Sequence, residues 1–191
     1  MPLPTVDVDE INSWSPCHDV LAYNDPDFSG NAIDVLNYTG CHLVNRLWVM
    51  CRPAMLPDDS PMHDFGRAMF VEVAGELTQG QLDIVDKKNQ WIDGTLTDVE
   101  LDSDYEAQGL VAAQAEEDEK AFRVSLSQEH EIEYEDDVNG YAKATLIERA
   151  IYRYLSQDGR TASYKVAMPL LEAGLVTDSF IVSKFIEILE S

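Results

Sequence analysis

Thr97-Asp98-Val99-Glu100-Leu101-Asp102-Ser103-Asp104-Tyr105-Glu106 opens the stretch on which the reading of this chain turns. Thr97 and Glu100 stand three apart, the spacing of a capping box, so a helix is expected to begin here. Leu101, Tyr105, Gln108 and Ala112 keep helical spacing behind that start. Farther on, Phe122, Val124 and Leu126 alternate, as do Ile132 and Tyr134, with a turn signal near Gln128. That pattern predicts a short acidic β-hairpin near 121–135.

Up to Asp137 the same stretch carries Asp98, Glu100, Asp102, Asp104, Glu106, Glu116, Glu117, Asp118, Glu119, Glu129, Glu131, Glu133, Glu135, Asp136 and Asp137 against only Lys120 and Arg123. Local pairs cannot neutralise fifteen acids with two bases. Much of the segment must therefore lie in water or face a cationic partner, and these acids are the candidate partner-binding residues.

Upstream of this segment the chain reads as a run of helices. Asp7 or Asp9 can cap a short helix with Ile11 and Trp14, ended by Ser15-Pro16. A second short helix is expected over 18–23. Asn24-Asp25-Pro26-Asp27 is a turn cluster, and Ser29 can cap a helix over 30–38 that Gly40 closes. The next, from about Cys41 to Arg52, would turn Val44, Leu47, Trp48 and Cys51 to the core. Ser60-Pro61 starts another that reaches about Leu77, with Phe65, Met69, Val73 and Leu77 every four residues. A helix over 79–93 shows Leu82, Val85, Asn89 and Ile92 on one side and ends at Gly94.

Downstream, Ala142, Leu146, Ala150 and Tyr154 restore the helical period as far as Asp158-Gly159. Thr161 to Ala173 reads as a helix containing Pro169, and Thr177 caps a last one with Phe180, Ile181, Phe185 and Ile188 inward. The expected fold is mainly α, a compact bundle of about seven to nine helices. Its regions are 1–96, an acidic segment 97–137, and 138–191, packed as one domain.

Over all 191 residues, 13 Lys and Arg face 36 Asp and Glu, a net charge of −23. Such a field repels a polyanion, so direct binding of DNA or RNA is not expected. An adaptation to salt would spread its acids evenly, whereas here they are concentrated. No apolar run approaches the roughly 20 residues that span a bilayer, and the N-terminus lacks a basic start and apolar run, so no membrane partner and a cytoplasmic location are expected. Cys17, Cys41 and Cys51, an odd count in apolar surroundings, suit reduced thiols.

Three motifs occur in order: Trp14-Ser15-Pro16-Cys17, then Arg46-Leu47-Trp48-Val49-Met50-Cys51-Arg52-Pro53, then Trp91-Ile92-Asp93-Gly94-Thr95-Leu96-Thr97-Asp98-Val99-Glu100-Leu101. In this the chain resembles, in patches over its first 115 residues, a loose and mostly uncharacterised group of helical phage and bacterial proteins. Some of these are described as immunity proteins. The group's pattern continues into a long alanine-rich helix, of which this chain keeps only Val111-Ala112-Ala113-Gln114-Ala115, with acids around it. The resemblance implies an all-α fold.

Chemical motifs are weak by comparison. Asp25, Asp27, Ser29 and Gly30 fit the opening of a calcium loop, but Leu36 stands where a bidentate Glu is required. Cys17-His18 and Cys41-His42 could form a zinc site only if two helix starts met, and adjacent residues rarely aim at one centre. Cys41 as a nucleophile would need a base and an orienting acid that the sequence does not supply. No metal or other cofactor is expected.

The leading expectation is a non-enzymatic, acidic protein-binding inhibitor of the phage anti-defence kind, anti-CRISPR or anti-restriction. It would mimic nucleic acid on a basic nucleic-acid-binding protein in the host cytoplasm. The alternatives are a bacterial immunity protein that neutralises a toxin, and a hydrolase.

Overall fold

The computed structural model describes residues 3–14, 26–128 and 135–191, with side chains described outside 122–141 and 160–164. The expected helix over 18–23, together with Cys17 and His18, lies outside these residues. Among them the chain forms nine α-helices and one two-stranded sheet, so the mainly α reading holds.

Strand β1 (Thr5–Asp7) pairs antiparallel with β2 (Ser29–Asn31), Val6 opposite Gly30. Each strand runs straight into a short helix and its last residue caps it. Asp7 accepts from Glu10 N–H at the start of α1 (Val8–Ser13). Asn31 accepts from the amides of Ile33 and Asp34 at the start of α2 (Ala32–Asn37), while Asp34 reaches back to Asn31 N–H in a capping box. The cap is thus Asn31 and not Ser29, because Ser29 is engaged in the strand ladder and Asn31 immediately precedes the first helical residue. Gly30 allows the tight turn into α2, since a Cβ there would lie 2.6 Å from Asp34 Cβ.

Helix α3 (Leu43–Met50) is rotated from its expected face: Leu43, Leu47 and Met50 are buried while Val44 is exposed. Arg46 shares the buried face, against whose edge Trp48 and Cys51 also pack. Arg46 Nη1 donates to Leu36 O at the end of α2 (2.6 Å), where a cation satisfies an orphan carbonyl. Helix α4 (Ser60–Glu72) begins at Ser60-Pro61, with Asp59 and not Ser60 at the cap position, and stops short of Leu77, passing into a 3₁₀ turn at Ala74–Glu76. Its Phe65, Met69 and Phe70 lie at the centre of the core. Phe65 stacks on Phe185 at 4.5 Å, and Phe70 meets Tyr154 at 4.9 Å.

Helix α5 (Gln79–Ile92) is opened by a Thr78–Gln81 capping box. Helix α6 (Asp98–Gln128) is one continuous helix of 31 residues, opened by the Thr97–Glu100 box. The hairpin expected near 121–135 is therefore not what the chain forms over 121–128, and 129–134 lie outside the described residues. The alternation of three apolar residues is outweighed because a helix already propagating through Ala, Glu, Lys and Gln gains one hydrogen bond per residue added. The two-stranded element lies at the other end of the chain, in β1 and β2.

Helix α7 (Glu135–Tyr154) packs along α6, and α8 (Gly159–Glu172), with Pro169 inside it, packs on α7 and α4. Helix α9 (Asp178–Glu190) is capped by Thr177 and buries Ile181 and Phe185. The apolar cluster joins Val6 of β1 to Phe185 of α9 through α2, α3, α4, α7 and α8. Helix α6 lies at its margin, contributing buried Leu101, Gln108 and Ala112.

Candidate functional site

The inward face of α6 is the one its spacing predicted, and it is held by polar contacts as much as by apolar ones. Gln108 donates to Glu148 of α7, whose other carboxylate oxygen accepts from Gln81 of α5 (2.7 Å), so one carboxylate ties three helices together. Thr145 Oγ1 donates to Ala115 O. Tyr105 stacks on Tyr152 at 4.6 Å. Gly109 permits this approach, because a Cβ there would sit 3.1 Å from the Tyr152 ring.

The candidate acids of α6 fall into two groups. Those near its start are used within the fold. Asp98 accepts from Trp91 Nε1 (2.8 Å), Asp102 from Gln157 Nε2 (2.8 Å), and Asp104 from Lys87 Nζ (2.6 Å). Glu100 accepts from Thr97, and those hydrogen bonds lower its pKa. Asp98 and Glu100, in the first turn, also complement the positive end of the helix dipole. Farther along, Glu116 lies 3.5 Å from Arg149, and Asp118 accepts from Gln114. Glu106 and Glu117 are exposed and have no cationic partner among the described residues. Glu119 is half-buried. Glu135, Asp136 and Asp137 occupy the first turn of α7, with side chains outside the described set, and Glu129, Glu131 and Glu133 lie outside the described residues altogether.

The sequence reading missed a buried polar node under Trp91. Lys88 is fully buried; its Nζ donates to Ser156 O just past the end of α7 (2.8 Å) and lies 3.6 Å from the centre of the Trp91 ring. His63 of α4 meets the other side of this node, its ring 5.4 Å from Trp91 and its Nε2 3.8 Å from Asp59. His63 Nδ1 is buried with no hydrogen-bond partner. Burial pulls the Lys88 ammonium down to about 7, and burial with the neighbouring Lys88 lowers His63 as well. Tyr154 O–H donates to Asn89 Oδ1 (2.7 Å) beside them. A signal existed: Lys88 stands three from Val85 and four from Ile84 and Ile92, on the apolar stripe of α5.

Among the described residues of the motifs that carry the resemblance, the tryptophans make contacts near the ends of helices. Arg52 lies over Trp48 at 3.7 Å, Trp48 faces Trp14 at 6.4 Å, and Trp91 is tied to Asp98. Cys41 is half-buried, and burial raises its thiol pKa, the opposite of what an activated nucleophile needs. Asp27, Ser29 and Gly30 belong to the turn and strand before α2. Among the described residues no group of three His, Cys, Asp or Glu side chains is placed to hold a metal, and no helix is long and apolar enough to cross a membrane.

No family model, curated protein or solved structure matches the chain.

Proposed function

We propose that the chain works by binding and not by catalysis, as an acidic inhibitor that occupies the cationic groove of a nucleic-acid-binding protein or complex. The anti-defence proteins of phages, anti-CRISPR or anti-restriction, are the kind of protein meant. The observation that carries this reading is that the acids from Asp98 to Glu119 lie on one continuous helix, α6. Acids on a helix recur at i and i+4 about 6 Å apart, comparable with phosphates along one strand, so a helix of carboxylates can replace a nucleic-acid backbone. Asp98, Glu100, Asp102 and Asp104 serve the fold as well, so the contact is expected to rest on Glu106, Glu117 and Asp118 and on the acids that begin α7.

The test is capture of partners from host lysate with and without competing duplex DNA, followed by the Glu106→Ser, Glu117→Ser, Asp118→Ser triple variant. DNA should displace the captured partner, and the variant should bind about tenfold more weakly with a shallower salt dependence, as expected when a few interface charges are lost. The chain itself should bind neither DNA nor RNA at low salt. A captured partner with no excess of Lys and Arg on its surface, or direct binding of duplex DNA, would end this reading. A basic nuclease toxin as partner would instead mark the chain as an immunity protein.

A further inference from the structure

The most acidic helix of the molecule is uncharged in its middle. From Ala107 to Ala115 it carries no Asp, Glu, Lys or Arg, and this window includes Leu110 and Val111, which are 75% and 47% exposed. Glu106, Leu110, Ala113 and Glu117 follow one another at intervals of four, three and four, so they form one outward stripe with an acid at each end. Beside the stripe a groove of about 370 Å³ runs between α6 and α7, its apolar lining made by Val111, Ala115 and Ala144 and its rim by Asp118 and Glu148. Single exposed apolar residues are ordinary, but two adjacent ones beside an apolar groove, ringed by acids, have the anatomy of an interface: an apolar centre inside a charged rim.

We propose, building on the acidic-inhibitor reading above, that this window is the centre of the partner contact. It accepts a basic amphipathic helix that seats an aliphatic side chain in the α6–α7 groove and sets Lys or Arg over Glu106 and Glu117. Charge selects this occupant. A second copy of the chain would bring two rims of like charge together, each on a molecule of net charge −23. A partner with cations spaced as Glu106 and Glu117 are, three helical turns apart, pairs with both ends while its aliphatic face covers Leu110 and Val111. A surface that only imitated phosphates would have no use for these two side chains.

Two capped helical peptides of equal charge test this. One has Lys at i and i+11 with Leu at i+4 and i+7, and its twin has Gln for Leu. Measured by fluorescence anisotropy, the Leu peptide should bind the intact protein about tenfold tighter, the ratio expected when an aliphatic side chain leaves water. Leu110→Gln with Val111→Gln, at exposed positions where the fold is not at stake, should bring the two peptides to equal affinity. Glu106→Gln with Glu117→Gln should weaken both alike. Equal affinity of both peptides for the unaltered protein would overturn the proposal and leave the acidic-surface reading standing. Failure of both peptides to bind would overturn the proposal, and the acidic-surface reading would then stand or fall on the lysate capture. Dimerisation in sedimentation that the Leu110→Gln, Val111→Gln variant abolishes would overturn it in favour of a second copy.

Discussion

Lys88 is the residue at which burial and charge conflict most. Its ammonium is satisfied by the Ser156 carbonyl and by the Trp91 face, both of which favour the charged form, yet desolvation dominates and brings it down to about 7. A lysine whose folded pKa lies below its unfolded value near 10.4 holds its proton less tightly when folded. Its cost to stability is therefore full below about pH 7 and is relieved as pH rises toward about 10. Lys88→Met should flatten this rise in melting temperature between pH 7 and 10, followed by circular dichroism. An unchanged slope would assign the pH dependence to other groups. His63, also lowered, acts in the same direction at lower pH, where its protonation favours the unfolded chain below its ordinary value near 6.5. None of this was legible as function. A lone lysine on an apolar stripe is a weak signal until the carbonyl it meets, 68 residues away, is in place.

At the scale of elements, two connections in the molecule repeat one design. After α5 and after α8 the chain closes with a glycine in the left-handed region, Gly94 at φ 73° and Gly174 at φ 69°. In each the glycine N–H bonds to the third carbonyl back, and the following N–H to the fifth, Thr95 to Gln90 and Leu175 to Leu170. Three residues after each glycine a threonine caps the next helix, Thr97 or Thr177. A Cβ at either glycine would enter open space, so only the backbone conformation is at stake. Gly94→Ala and Gly174→Ala should each cost about 1–2 kcal/mol and should match each other, measured by urea unfolding. A large difference would mean that one turn is coupled to packing beyond itself. Such devices were readable because glycine, threonine and glutamate at fixed offsets have a local mechanism. The end of α6 was not, since Phe122, Val124 and Leu126 fit a strand pattern locally and the helix entering from Asp98 decides against it. The face of α3 was misjudged for a related reason: Arg46, polar by type, is drawn inward by a carbonyl on another helix.

Across the whole molecule, the core accounts for the helices around α4 and leaves α6 at its edge, where its inner side is satisfied by Gln108, Leu101 and Ala112 and its outer side is exposed. The acidic concentration was visible in the chain from the start. The division between acids that brace the fold and acids that face outward was not, because it depends on Trp91, Gln157 and Lys87 arriving from other elements. Helix α6 is also a ruler. From Asp98 to Glu119 it advances about 32 Å at 1.5 Å per residue, which matches about nine steps of duplex DNA at 3.4 Å. Competing duplexes should therefore displace a basic partner fully once they exceed about nine base pairs and progressively less below that, read as inhibition constants over a length series. A threshold well beyond this length would show that the footprint extends past α6, to the acids that begin α7. The uncharged window from Ala107 to Ala115 leaves about 15 Å between Glu106 and Glu116 without a charge to stand for a phosphate.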